Sequence, residues 1–308
     1  MFNLDHIAGF ILHFSHDVII IPLLILGYIW LNPKIFFHAI CLILLSMITN
    51  FVLKQIFQIP LPEGHINQET YAFPSGHMQS AIVLYGWLVI KYRNIIFQFA
   101  LCGLLTAIAM SLVHFNYHNY TDIVGAVFFA VLLISIYQIL LLKKAKILKW
   151  LTLIFGTILI LYISIIYVIP KHLYMAYYVL VGIVLSEALF DNSQIIIENN
   201  FKDKICIKLL ATIFCLIAAL ASHEVLSPKP FIMGLFPAPE ASANKSFIAN
   251  LFPGYDSSSG KSFITLPIYI SQLRWFLTAF AVPLSYFMGY HIWDNVKGKG
   301  FFKQDNDK

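Results

Sequence analysis

The sequence from residue 121 to 149 reads TDIVGAVFFAVLLISIYQILLLKKAKILK, and it gives the clearest indication of the fold class. After Asp122, residues 123–142 contain no charged side chain, and a cluster of lysines follows at once. A helix needs about 20 apolar residues to cross the hydrocarbon core of a bilayer. The stretch therefore predicts a transmembrane helix that ends at a cationic membrane face.

The composition extends this prediction to the whole chain. Of 308 residues, 59% are hydrophobic and only 11% are charged, and the mean hydropathy is +0.79. Soluble domains carry about 25% charged residues. These values exclude a soluble enzyme, a disordered chain and an ordinary nucleic-acid-binding protein. The four cysteines lie in apolar runs without metal-ligand spacing, which is typical of packing residues.

Apolar runs separated by polar breaks predict an all-α fold, a polytopic bundle of transmembrane helices with about nine spans. Residues 1–17 are mildly apolar and suit an interfacial segment that leads into the first span. The predicted spans are 18–31, 35–57, 77–91, 94–113, 121–142, 147–169, 172–190, 205–222 and 275–293.

The lysines and arginines orient the predicted bundle. Fourteen of the 20 fall on one set of polar breaks, which the positive-inside rule makes cytoplasmic. The N-terminus is then outside and the C-terminus inside. We expect a five-span core over 18–142 and a four-span C-terminal extension over 143–308, with a long outer loop at 223–274.

Two clusters on the predicted outer face suit phosphate chemistry. Ser75 is a good N-cap residue, and the free N–H groups of a helix N-terminus bind anions. Gly76 allows a phosphate oxygen to approach the backbone, and His77 can exchange a proton near neutral pH. Lys54, near the outer end of the preceding span, supplies a fixed positive charge.

A third cluster follows at the junction of the fourth and fifth spans. It contains Ser111, His118 and Asp122. The last two are four residues apart, so in a helix they share one face. The carboxylate can then hold the tautomer of the imidazole, as an orienting group does for a catalytic base or nucleophile.

The sequence resembles the type 2 phosphatidic-acid phosphatase, or lipid phosphate phosphatase, superfamily over about residues 18–142. The resemblance implies that His118 is the nucleophile that forms a phosphohistidine, that Asp122 orients it, and that His77 protonates the leaving group. It implies neither a metal nor another cofactor. The residues that it assigns to phosphate binding are Lys54, Ser75, Gly76 and Ser111.

The chain departs from the pattern of that superfamily at two positions. Leu61 and Leu112 stand where the pattern has arginine, the side chain that best grips phosphate in a bidentate manner. Other cations on the predicted outer side are candidates to replace them. These are Lys171, His172, Lys229, Lys245, Lys261 and Arg274.

Three functions remain open from the sequence. The first is a phosphohydrolase for lipid phosphates or diphosphates, acting at the outer leaflet through a phosphohistidine. The second is a lipid head-group or phosphoryl transferase of the same superfamily, and the third is a catalytically weakened lipid-binding or transport protein. The expected partner is a membrane lipid phosphate as substrate. We expect no nucleic-acid partner, and the sequence indicates no protein partner. The expected location is the bacterial inner membrane, with the site facing outward.

Overall fold

The computed structural model describes residues 4–61, 71–167, 169–190, 201–226, 231–232, 263–264 and 268–298. These residues form nine α-helices and one pair of short antiparallel strands. The helices are α1 Leu4–Leu12, α2 Asp17–Leu26, α3 Pro33–Phe57, α4 Gly76–Lys91, α5 Ile95–His114, α6 Tyr120–Ile166, α7 Lys171–Phe190, α8 Phe201–Leu226 and α9 Ile268–Gly298. The strands are β1 Phe231–Ile232 and β2 Phe263–Ile264; a 3₁₀ turn covers His13–Ser15, and a π-helical turn covers Gly27–Leu31.

Polar residues mark where several of these helices begin. The Asn32 side chain accepts a hydrogen bond from the Ile35 amide at the start of α3, and Asn94 accepts one from Phe97 at the start of α5. Such caps satisfy amides that have no partner within the helix. The apolar runs between the caps supply the surface that packs inside the protein or faces lipid.

The long helix α6 reverses direction near its middle. Lys144 has a φ of −140° and a ψ of 38°, which are not helical values. Tyr137 and Thr152 interact through their side chains, although 15 residues of straight helix would separate them by about 22 Å. The two apolar runs 121–142 and 147–169 are therefore separate antiparallel segments, as the lysine cluster between them predicts.

Helix α3 lies at the centre of the first part of the chain, and α4, α6 and α7 pack around it. Helices α7, α8 and α9 form a second closely packed group. The N-terminal helix α1 packs on α5, and its Asp5 lies 2.8 Å from the His114 imidazole. The bent N-terminal segment is thereby held beside the ends of α3 and α4.

The protein is an integral membrane protein with an all-α fold. Each of the nine apolar runs that the sequence predicts as spans falls largely on helix in the described residues. Within the described residues, five helices are long and apolar enough to cross a bilayer. A sixth candidate is the pair Leu4–Ser15 and Asp17–Leu31, bent by 46°. The total of about nine spans and their orientation stay predictions. The predicted outer loop 223–274 lies mostly outside the described residues, and its ends 223–226 and 268–274 are helical.

Candidate active site

A cavity of about 960 Å³ lies where the sequence predicts the site. The N-terminal segment, α3, α4, the α5–α6 connection and α7 all contribute to its wall. Four of the predicted site residues line it, and they come from all three sequence clusters. These residues are Lys54, Gly76, His77 and His118. The fold therefore brings together side chains that are up to 64 residues apart in the sequence.

His118 and Asp122 form a buried pair at the inner wall of this cavity. The His118 Nδ1 atom lies 3.4 Å from Asp122 Oδ2, which is longer than a usual N–H···O hydrogen bond. The same Oδ2 atom accepts a hydrogen bond of 3.0 Å from the Asn119 amide, so the carboxylate is held at the start of α6. Its position leaves Nε2 as the His118 nitrogen that is free to react.

Burial keeps the His118 imidazole neutral. Loss of solvent around the ring, together with the nearby positive charge of Lys54, lowers the pKa of His118 to about 4, although the negative charge of Asp122 opposes this. A neutral imidazole carries the lone pair that nucleophilic attack requires. The burial of this side chain is therefore consistent with a nucleophile at neutral pH.

Residues 74–77, here called the Pro-Ser-Gly-His segment, are fixed between α3 and α6. The Ser75 side chain accepts a hydrogen bond from the Met78 amide and so caps α4, as predicted. The Ser75 amide donates to the carbonyl oxygen of Asp122 across 3.2 Å. The second and third clusters are thus joined through the backbone, which fixes His77 relative to His118.

Two polar residues that the sequence did not single out as site residues hold this segment on its other side. The Asn50 amide group donates to the carbonyl of Pro74 at 3.2 Å and to Gln79 Oε1 at 2.9 Å. Gln79 in turn donates to the carbonyl and hydroxyl of Ser46. Asn50 and Gln79 could have been recognised as amide side chains within apolar helices, because a buried polar group needs hydrogen-bond partners.

Gly76 lies against this network. A Cβ atom at this position would lie 3.2 Å from Asn50 Oδ1, so glycine allows α4 to begin close to α3. Because α4 starts at Gly76, its first free amides lie at the cavity wall. Helix N-termini of this kind are suited to bind anions.

Lys54 is the only lysine or arginine that lines the described part of the cavity. Its ammonium group donates a hydrogen bond of 2.6 Å to the carbonyl of Tyr71. It also acts electrostatically on His77, His118 and His172. Among the described residues at the cavity, Lys54 is therefore the fixed positive charge that acts on all three of these histidines.

The two serines that the sequence assigns to phosphate binding do not line the cavity. Ser75 is fully buried, and its hydroxyl serves as the α4 cap. The Ser111 hydroxyl donates to the Ala107 carbonyl at 2.8 Å within α5. Their phosphate-binding roles stay predictions.

Among the candidate cations that could replace the missing arginines, His172 lines the cavity and Lys171 does not. Arg274 lies elsewhere on α9, with its guanidinium 5.3 Å from the ring centre of Trp275. The three other candidates, Lys229, Lys245 and Lys261, lie outside the described residues. Leu61 and Leu112 both contribute apolar surface to the cavity.

The N-terminal segment contributes side chains that the sequence did not assign to the site. His13, His16 and Asp17 all line the cavity. The rings of His16 and His77 lie 5.0 Å apart between centroids. No local pattern in residues 1–17 indicates this, because the contact arises from the docking of α1 on α5. No group of three or more His, Cys, Asp or Glu suited to a metal ion occurs in the described residues.

Comparison with known proteins agrees with the resemblance found in the sequence. Residues 35–146 match the family model of the PAP2 superfamily, which indicates phosphatase- or phosphotransferase-type activity on lipid-like substrates. The matched range includes Lys54, His77, His118 and Asp122. Neither the curated proteins nor the solved structures contain a match to this chain.

Proposed function

We propose, with the membership of residues 35–146 in the PAP2 superfamily as the premise, that the protein is a membrane phosphohydrolase for lipid phosphates or diphosphates. The observation that carries the proposal is the position of His118. Its imidazole is buried against Asp122 and lines the same cavity as His77 and Lys54. A nucleophile, an orienting carboxylate, an acid and a fixed cation are the groups that phosphoryl transfer through a covalent intermediate requires.

The first half of the reaction forms a phosphohistidine. His118 Nε2 attacks the phosphorus atom, an N–P bond forms, and the P–O bond to the lipid or to the leaving phosphate breaks. The electron pair of that bond goes to the leaving oxygen, which takes a proton from His77. Asp122 stabilises the positive charge that develops on the imidazole, because its carboxylate lies beside Nδ1.

The second half regenerates the enzyme. A water molecule attacks phosphorus and gives one proton to His77, the N–P bond breaks, and inorganic phosphate leaves. His118 and His77 return to their starting protonation states. Lys54 and the first amides of α4 face the negative charge on the phosphoryl oxygens throughout.

The membrane supplies the substrate in this proposal. Apolar side chains from α2, α3, the segment that follows α3 and the end of α5 line part of the cavity and can contact acyl or prenyl chains; they are Ile20, Ile43, Met47, Phe51, Leu61 and Leu112. The distribution of lysine and arginine supports a site at the outer leaflet of a bacterial inner membrane. Such a position suits lipid phosphates that are exposed to the outer face.

A transferase is the second candidate, and the size of the cavity favours it. About 960 Å³ with partly apolar walls exceeds what a phosphoryl group and one water molecule need. A second lipid could then accept the phosphoryl or head group in place of water. The chemistry at His118 would be the same in its first half.

The test compares the purified protein with His118→Ala and with His6→Ala, whose exposed histidine on α1 does not line the cavity. Phosphate release and head-group transfer are followed on several lipid phosphates and diphosphates. We expect His118→Ala to lose phosphate release by about 10⁴-fold or more, and His6→Ala to retain it.

The other possible results of this assay distinguish the transferase from a lipid-binding or transport role. Transfer to a second lipid that depends on His118, without phosphate release, would establish the transferase. Equal phosphate release and equal transfer by the wild type and His118→Ala would contradict both proposed enzymatic activities and leave a lipid-binding or transport role.

A further inference from the structure

The described lining of the cavity is poor in fixed positive charge but rich in histidine. Lys54 is its only permanent cation, and Asp17 brings a carboxylate into the same wall. Leu61 and Leu112 add apolar surface. Five histidines line the cavity: His13, His16, His77, His118 and His172.

The charge of the described cavity lining depends on how many of its histidines are protonated. In the described lining, with all histidines neutral, the charges of Lys54 and Asp17 cancel, and Asp122 beside His118 adds a negative charge. A phosphate monoester carries close to two negative charges near neutral pH. Such a group gains little from a neutral or negative wall, so the cavity attracts it only when histidines carry protons.

The N-terminal histidines are positioned by a rigid turn. Tyr85 of α4 donates a hydrogen bond of 2.7 Å to the carbonyl of Phe14, which anchors the turn between α1 and α2. The rings of His13 and His16 stack at 5.9 Å between centroids, and His16 in turn lies 5.0 Å from His77. The stacked rings therefore reach from the N-terminal segment to the proposed acid.

The hydrogen bond of His13 makes its second nitrogen a pH-dependent donor. His13 Nδ1 lies 2.7 Å from the carbonyl of Gly9 and donates to it. In the neutral ring Nε2 then bears a lone pair, which repels phosphate oxygens. Only the protonated ring presents an N–H group there.

His172 of α7 also lines the cavity. It stands in the first turn of α7, with its ring 6.4 Å from that of Phe51, one helical turn before Lys54 on α3. Within the described residues, the ring nitrogens of His16 and His172 have no hydrogen-bond partner. Both imidazoles are therefore available to a ligand.

We infer that His13, His16 and His172, here called the histidine clamp, bind the phosphoryl oxygens of the substrate in their protonated form. The clamp replaces fixed cationic side chains and makes anion binding depend on pH. The inference rests on the proposed function for the identity of the natural ligand, a lipid phosphate. The binding of a tetrahedral dianion can be measured without turnover.

Several other groups face the clamp and belong to the same electrostatic balance. The carboxylate of Asp17 on α2 acts on both His77 and His172 in favour of their protonated forms, against the larger opposing effect of burial. The positive charge of Lys54 on α3 opposes protonation of the clamp when no anion is present, and a protonated His77 on α4 would add to this effect. A bound phosphate reverses this repulsion, so proton uptake and anion binding are coupled. The other titratable groups nearby are His118 and Tyr117 in the α5–α6 connection, and the Asp5–His114 pair of α1 and α5.

The test uses sulfate as the probe, because it has the shape of phosphate and stays a dianion between about pH 5 and about pH 8, the range in which histidine titrates. Calorimetric titration of the full chain in detergent gives the sulfate Kd at several pH values. We expect the affinity to fall by about tenfold per pH unit for each proton required, towards alkaline pH.

His16→Gln and His172→Gln should bind sulfate more weakly at acidic pH and with a flatter pH dependence than the wild type. His6→Gln is the matched control on the same N-terminal segment, and it should behave as the wild type. His16→Arg supplies a permanent cation, so it should keep acidic affinity and lose much of its pH dependence. Because His16→Arg is expected to retain sulfate binding, it also tests the clamp if a glutamine variant fails to fold.

A sulfate affinity that does not change with pH would overturn the histidine clamp, as would a wild-type pH dependence in both glutamine variants. Failure of the proposed function looks different. A protein that binds sulfate in this pH-dependent way but releases no phosphate from any lipid would retain the clamp and lose the phosphohydrolase.

Discussion

The Ser75 amide donates a hydrogen bond to the carbonyl oxygen of Asp122 across 3.2 Å. This single bond joins the segment that carries His77 to the helix that orients His118. The relative position of the proposed acid and nucleophile is therefore set by backbone groups, with Asn50 bracing the segment from α3.

Replacing the orienting carboxylate should remove most of the activity while the fold is kept. In Asp122→Asn, the amide oxygen can still accept from the Asn119 amide, but the negative charge beside His118 Nδ1 is lost. We expect phosphate release to fall by about 10²–10⁴-fold. Steady-state kinetics measures this, and Asp294→Asn, which changes an exposed carboxylate on α9 away from the cavity, is the control. An Asp122→Asn enzyme with wild-type kcat would refute the orienting role.

The pH profile should show that His118 remains neutral well into the acidic range. Its folded-state pKa is lowered to about 4, below the value of about 6.5 for a free histidine. The nucleophile therefore loses its lone pair only near pH 4, and its contribution to folding stability declines as the pH falls from about 6.5 towards that value. We expect the acid limb of kcat/KM to lie near pH 4. An acid limb near pH 6.5 would contradict a buried neutral His118.

Breaking the brace on the Pro-Ser-Gly-His segment should reduce both stability and activity. Asn50→Leu leaves the Pro74 carbonyl and Gln79 Oε1 without their donor. Unsatisfied buried groups cost about 1–3 kcal/mol each. Thermal unfolding and phosphate release should both decline. Thr106→Val, which removes only a local bond to the Cys102 carbonyl on α5, should leave phosphate release unchanged; an equal loss in both variants would show that the brace has no special role.

A methyl group at Gly125 should displace the same segment. A Cβ atom there would collide with the ring of Phe73, two residues before Ser75. We expect Gly125→Ala to destabilise the protein by about 1–3 kcal/mol and to lower activity. Gly103→Ala is the control, because a Cβ atom there meets nothing within 4 Å. Since alanine favours helix over glycine by up to about 1 kcal/mol, the control should be neutral or more stable; if Gly125→Ala behaves likewise, the close packing of Phe73 on α6 is refuted.

Local properties of the chain predicted much of this molecule. Runs of apolar residues predicted helices α2 to α9, with two runs in α6, because helix hydrogen bonds form between near neighbours in the sequence. The lysines at 143–149 predicted the reversal within α6, and Ser75 predicted the start of α4. Short motifs also predict His77, His118 and Asp122 as site residues; the structure places the two histidines at one cavity and Asp122 beside His118, and their catalytic roles stay predictions.

Long-range packing accounts for what the sequence could not predict. His16 enters the site because α1 docks on α5 and the N-terminal segment bends by 46°, and neither property has a local pattern. Ser111 points along its own helix, because its hydroxyl finds a carbonyl one turn earlier. Motif spacing specifies which residues share a helix face, but the direction of each face depends on contacts between distant segments. The candidate residues His77 and His118 could therefore be named from the chain alone, and their roles stay predictions, whereas the position of His13, His16 and His172 at the same cavity became evident only from the tertiary structure.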